Sequence, residues 1–381
     1  MFDKKFLLAT SVLIGTIVGA GIFGLPYTIT KSGILPGLFY FLILGSAVLL
    51  LHLLFGEIVL RTRGRHRLIG YSQMYLGNWG KDLITLSTFL GTSGTLLAYI
   101  ILGGDFLKVL FSPWLNLNSF YFSLLFGLFL SYFIFRGMKI IAPTEFFTNL
   151  IFFVIIFIIL CFALPKISFQ NFTLINLPNI FLPYGIILFA LAGWTAIPEI
   201  GDILQTTEGK RKYKKVINSA ILITVCLYLF FVLTVVGVSG EKTSPDSLGG
   251  LTPFLGEKII FFGALAAVIT LADSFLVIGL YLKHTLRYDY RFPKFWASVI
   301  TCCLPLALFL IGFRGFIETI GFVGTLIGVI EGIVIILIFK KAKSLGDRQP
   351  EYSLEIPNLL LYFLVVVFIL GAISQVVYYW Q

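Results

Sequence analysis

Eleven long apolar stretches, separated by short polar and mostly basic loops, cover almost the whole of this chain. They run over residues 6–30, 36–60, 83–110, 119–136, 146–165, 181–203, 216–238, 256–284, 293–312, 316–339 and 357–380. A helix of about 20 apolar residues crosses the hydrocarbon of a bilayer, so each stretch predicts one transmembrane helix. No long soluble insertion divides them, which predicts a single all-α transmembrane domain over 1–381.

Two of the stretches carry the same interruption. Ala20 to Pro26 reads AGIFGLP, and Ala192 to Pro198 reads AGWTAIP. Proline withholds a backbone donor and clashes with the preceding turn, while glycine permits non-helical dihedrals. Unwinding is therefore predicted over Val18–Phe23 in helix 1 and Ala190–Thr195 in helix 6. Helices broken alike in corresponding halves of a chain point to a transporter's binding site near mid-membrane. With helices 1–5 (about 6–165) and 6–10 (about 181–339) as two units, five helices per unit force opposite topologies. The last helix, 357–380, is then an accessory.

Composition agrees with that pattern. The chain is 58% hydrophobic and only 12% charged, with a mean hydropathy of +0.99, which excludes a soluble domain. Its net charge of +10 raises nucleic acid as a partner, but the placement of the charges argues against it. With the N-terminus inside, 22 of the 28 Lys and Arg residues fall in inner loops, from Lys4 and Lys5 through Arg61–Arg67, Lys139 and Lys210–Lys215 to Arg348. That bias predicts an N-in, C-out protein of the cell membrane. The uncharged run from Phe6 to Thr30 is too long for a signal peptide. Cys161, Cys226, Cys302 and Cys303 all lie in apolar runs and have no metal spacing.

Candidate chemistry follows from the breaks. Unwound backbone is tolerated inside a bilayer only where protein buries it or a cavity hydrates it. Free N–H and C=O groups at Gly19, Ala20, Gly21, Ile22, Phe23, Ala192, Gly193 and Trp194 would suit the carboxylate and ammonium of an amino acid. Gly19-x-Gly21-x-x-Gly24 also spells a dinucleotide fingerprint, but no strand or βαβ unit accompanies it. No Walker A pattern is present, which argues against ATP-driven transport. Carboxylates within spans are costly and mark function, which selects Asp273, Glu331 and Glu199, with Asp105 in the outer part of helix 3. Thr270 and Ser274 share a helical face that Asp273 adjoins, a set able to hold Na⁺ or poise a proton. Glu57, Glu145 and Asp202 lie near inner helix ends and read as capping or snorkelling groups. His52, His66 and His284 have no ligand spacing and read as structural or interfacial. Tyr99 on helix 3 reads as a cover for a substrate carboxylate or as core packing.

The chain resembles the amino acid/polyamine/organocation superfamily of permeases, and within it the bacterial tyrosine/tryptophan branch. GTIVGAGIFGLP in helix 1, AYIILGGDFL in helix 3, FALAGWTAIPEIGD in helix 6 and ADSFLVIGLYLKHTLRYDY from helix 8 carry the resemblance. It implies a LeuT-type five-plus-five inverted repeat, with substrate held at the two breaks and its side chain between helices 3 and 8. The sequence departs from the family pattern where Asp273 replaces one small hydroxyl residue of helix 8. Helix 5 also lacks the lysine that serves some proton-coupled relatives at the cation position. The expectation is an amino-acid permease, aromatic substrates among the candidates, driven through Asp273 by H⁺ in preference to Na⁺. No cofactor is expected, and the oligomeric state is open. The rival readings are a membrane-embedded enzyme, which would need an interfacial cluster of polar catalytic groups, and a passive channel without ion coupling.

Overall fold

Helix 1 is in two pieces, Lys4–Ile17 (1a) and Gly21–Ser32 (1b), bent by 56° where they meet. The computed structural model describes residues 4–112, 114–137 and 142–380, and all regular elements among them are helical. Helix 2 spans Ile34–Arg61, helix 3 Asn78–Phe111, helix 4 Ser119–Arg136 and helix 5 Ala142–Ala163. Helix 6 is again divided, Pro183–Leu191 (6a) and Ile197–Ile203 (6b), around a 3₁₀ turn at Trp194–Ala196. Helix 7 is Tyr213–Ser239, helix 8 Glu257–His284, helix 9 Lys294–Ile311, helix 10 Phe316–Leu345 and helix 11 Asn358–Trp380. Among the described residues, ten helical spans are long and apolar enough to cross a bilayer, and the bent pair of helix 1 makes eleven. Lys139 and the side chain of Glu145 lie outside the described residues.

Helices 1b, 3, 6a and 10 form the centre. Backbones come close there because glycine faces glycine: Gly185 of helix 6a packs against Gly321 and Gly324 of helix 10 without an intervening side chain. Small residues at such seams gain van der Waals contact where lipid offers no hydrophobic drive. Helices 4, 5, 9 and 11 turn large apolar side chains outward, among them Phe129, Phe157, Phe295 and Leu359. Such exposure is what a lipid-facing surface requires.

The basic loops meet on one face, and two features there were not predicted. The Arg-rich stretch after helix 2 continues into a short helix, Leu68–Leu76, which packs against helices 3 and 10. The linker before helix 11 folds back onto helix 2. Glu57 is fully buried and accepts from Arg61 at 2.7 Å, from Ser353 at 3.2 Å and from the Leu354 N–H at 2.6 Å. This carboxylate caps a tertiary junction instead of snorkelling to water.

On the opposite face, residues 165–180 pair with the chain between helices 1b and 2. Ile34 N–H donates to Thr173 O at 2.9 Å and Asn176 N–H to Ser32 O at 2.8 Å. The loop after helix 7 plugs the same side, where Ser247 donates to the Phe23 carbonyl.

Candidate functional site

The helix 1 break is shorter than predicted. Val18 N–H still bonds to Ile14 O at 2.8 Å, Gly19 N–H turns to Ile17 O at 3.0 Å, and Phe23 N–H already bonds to Ala20 O at 3.1 Å. Helix resumes at Gly21, so Pro26 sits inside helix 1b and is not the breaking residue. In helix 6 the ladder ends with Ala192 N–H on Phe189 O at 3.3 Å, and Ala192 is extended (φ −66°, ψ 119°). Pro198 lies in the first turn of helix 6b, where its missing donor costs nothing.

The two breaks touch. A Cβ built on Gly21 would stand 2.6 Å from the Ala190 Cα, so only glycine lets helix 1b start against the end of helix 6a. Tyr228 of helix 7 spans the junction. Its hydroxyl lies 3.0 Å from the Ile17 carbonyl and 2.8 Å from that of Ala190, the carbonyls at the ends of helices 1a and 6a. Carbonyls at broken helix ends are costly to leave without a donor, and the one phenol hydrogen is shared between these two, in addition to the Gly19 N–H that already reaches Ile17 O. Tyr213 similarly donates to the Ile197 carbonyl at the start of helix 6b.

From the breaks a cavity of about 1060 Å³ runs to the face that carries the basic loops. An amino acid fills only a fraction of that volume, so the space is a vestibule with its narrow end at the breaks. Gly19, Ala20, Gly21, Ala192, Gly193 and Trp194 line that end. Tyr99 joins them, its hydroxyl 3.4 Å from where a Gly19 Cβ would stand and directed also to the Ser274 side chain. Thr88, Thr92 and Thr95 of helix 3 face Ser274 and Ile278 of helix 8 across it. At the mouth, Arg67 attracts Glu199, and Arg65 pairs with Asp202 at 2.9 Å.

Five of the candidate residues lie off the cavity, among them Asp105 of helix 3, which is hydrogen-bonded to Ser119. Ile22 and Phe23 are fully buried, because helix resumes at Gly21 and carries them to its far side. Phe23 sits among Phe106, Phe152 and Phe231, with ring centroids 5.0, 5.8 and 6.4 Å away. These edge-on contacts close the end of the cavity opposite the mouth. Asp273 is one position from Ser274, about 100° around the helix, and turns to helix 5, where Thr148 donates to it at 3.1 Å. Thr270 is buried, and its hydroxyl has no hydrogen-bond partner among the described residues.

Glu331 is the carboxylate at the deep end. It accepts the Trp194 indole N–H at 2.5 Å and the Ser87 hydroxyl at 3.2 Å, and it is buried apart from its cavity edge. Trp194 is fully buried, so its ring fills the helix 6 break. His52, read from sequence as structural, packs against Trp194 with ring centroids 5.9 Å apart. Tyr228, Tyr213 and His52 carried no distinguishing sequence signal. They are isolated polar groups in apolar runs, and only the folded chain brings them to the breaks.

Proteins of similar sequence are amino-acid permeases and transporters. The sequence profile described as the tryptophan/tyrosine permease family matches residues 2–375. Tyrosine-specific transport system 1 of Haemophilus influenzae is 24% identical over 394 aligned positions, covering 97% of this chain and 95% of that protein. Glutamine transporter 2 of Aliivibrio fischeri is 22% identical, covering 98% of this chain and 99% of that protein.

Proposed function

The chain belongs to the tryptophan/tyrosine permease family and is a multi-pass amino-acid transporter of the cell membrane, not an enzyme; we propose that it is a secondary active importer working by alternating access. Helices 1–5 and 6–10 form two inverted five-helix units of the LeuT type, with helix 11 an accessory and the N-terminus inside. The observation that carries this reading is the one-sided cavity. It reaches both helix breaks from the basic face and is closed behind them by the Phe23 cluster and Ser247. A through channel would be open at both ends. With basic loops on the cytoplasmic side, this is the inward-facing state.

Substrate recognition divides accordingly. Tyrosine and glutamine, for which the two relatives are named, have the amino-acid backbone in common and differ in the chemistry of the side chain. The backbone is held at Gly19, Ala20, Gly21, Ala192, Gly193 and Trp194, with the Tyr99 hydroxyl over the carboxylate. The substrate side chain lies between helices 3 and 8, and aromatic amino acids are the first class to test. The driving ion is H⁺ in preference to Na⁺. Glu331, Glu199 and Ser274 reach the cavity directly, whereas Asp273 turns to Thr148 of helix 5 and Thr270 is buried off the cavity.

Uptake into proteoliposomes tests this, using labelled tyrosine, tryptophan and glutamine under an imposed ΔpH or ΔNa⁺. Accumulation of one substrate above equilibrium under ΔpH is expected. Downhill equilibration alone, unaffected by either gradient, would reduce the protein to a uniporter or channel.

A further inference from the structure

His52 lies in helix 2 and is fully buried. Its Nδ1 stands 2.8 Å from the Val48 carbonyl, and a carbonyl only accepts, so Nδ1 carries a hydrogen. In the neutral ring Nε2 is then a bare lone pair, and it is buried with no hydrogen-bond partner among the described residues. That nitrogen is aimed at the helix 6 break, 3.4 Å from where a Cβ on Gly193 would stand. The imidazole also packs on Trp194, whose own N–H is committed to Glu331. A base without a partner and a carboxylate thus bracket one indole at the unwound segment.

Of the other titratable groups on elements around helix 2, those nearest the breaks are committed elsewhere or stand at the cavity mouth. Glu57 is paired with Arg61, and Asp202 with Arg65. Tyr184 donates to Phe368 O, Tyr213 to Ile197 O, and Tyr228 to the carbonyls of Ile17 and Ala190. Glu199 lies at the mouth with Arg67. Glu331 is what remains beside His52, on the far side of Trp194.

We propose that His52, Trp194 and Glu331 form the coupling-proton site, an inference that rests on the ion-driven reading above. The proton adds to the Nε2 lone pair, forming one N–H bond and breaking none in the protein. Glu331, held by the Trp194 and Ser87 donors, balances the imidazolium. The loaded site is then neutral and the empty one carries a single negative charge. Loading also converts Nε2 from acceptor to donor. Carbonyls in the 192–193 segment become its partners, so proton uptake ties helix 2 to the break that holds substrate. Gly193, which Nε2 faces, lines the cavity and gives the proton its exit toward the basic face.

The test uses the full-length reconstituted protein and two variants. His52→Gln keeps a polar side chain and Glu331→Gln keeps an acceptor for Trp194, but neither loads a proton between pH 5 and 8. Substrate-induced proton uptake, read by a pH dye, is expected in the wild type and lost in both variants. ΔpH-driven accumulation should fall about tenfold or more, with substrate binding still detectable by thermal shift. Either variant taking up protons with substrate as the wild type does would overturn the assignment. A wild type that exchanges amino acid without proton uptake would overturn it together with the ion-driven reading. A wild type that neither binds nor exchanges any amino acid would instead sink the assigned substrate class, and this inference with it.

Discussion

The indole N–H of Trp194 donates to the Glu331 carboxylate across 2.5 Å, fastening the non-helical segment of helix 6 to the middle of helix 10. Ser87 of helix 3 donates to the other oxygen at 3.2 Å. Glu331→Ala leaves both donors buried without an acceptor, a loss of about 1–3 kcal/mol for each unsatisfied group. Glu331→Gln restores an acceptor. Thermal unfolding in detergent should therefore rank wild type and Gln close together, with Ala clearly lower. Equal melting of the Ala variant would show that the bond contributes nothing to the fold.

Tyr228 gives a second test of the breaks. Tyr228→Phe keeps the ring but removes the donor shared by the carbonyls of Ala190 and Ile17, of which Ile17 keeps the Gly19 N–H. We expect a stability loss of about 1–3 kcal/mol and weaker substrate binding, because the ends of helices 1a and 6a are no longer held together. Binding isotherms unchanged from wild type would mean that the breaks hold their geometry without it.

Gly19 and Gly21 are two residues apart and should respond in opposite ways. A side chain at Gly21 meets the Ala190 backbone, which cannot move aside, whereas one at Gly19 meets the Tyr99 hydroxyl at an ordinary 3.4 Å. Gly21→Val should lose expression of folded protein or shift the breaks apart, at about 1–3 kcal/mol or more. Gly19→Ala should fold normally and weaken substrate binding only. Size-exclusion profiles and thermal shift with substrate separate the two. A well-folded Gly21→Val with full affinity would contradict the close approach.

The plugging loop carries a pH dependence of its own. Asp246 accepts the Gly249 N–H at 2.9 Å, and burial raises its carboxyl above the ordinary 3.8. A carboxyl raised by folding binds its proton more tightly in the docked loop than in the undocked one. Docking is therefore strongest below the ordinary carboxyl range and weakens as pH rises through the elevated one. Proteolysis of the loop should slow on acidification, and Asp246→Asn should remove that dependence. A loop equally sensitive at every pH would contradict the burial of this carboxylate.

Much of this was legible in the sequence because the bilayer imposes long uncharged runs, and loops of like charge separate them. The repeated Ala-Gly…Pro pattern located both breaks to within a few residues. It misassigned their cause in helix 1, where Pro26 is accommodated and the unwinding precedes it. Helical phase was the weak point. Ser274 and Asp273 are neighbours in sequence but face different helices, and an apolar run with little polarity contrast cannot show which face turns inward. Tyr228 was invisible for a related reason, being one of 17 tyrosines in a chain with 40 phenylalanines. The helix at Leu68–Leu76 was hidden by the arginines that precede it.

The central claim is that the space at the two breaks is the transport site and opens to one face at a time. In a background lacking Cys161, Cys226, Cys302 and Cys303, Ser274→Cys places a thiol on the cavity wall with one atom exchanged. Its labelling by a membrane-impermeant thiol reagent, applied separately to each side of sealed vesicles, reads access directly. Without substrate, labelling should be fast from the face carrying the basic loops and slight from the other. Saturating amino acid should protect the thiol. A thiol that reacts equally from both faces, or that no amino acid protects, would contradict it.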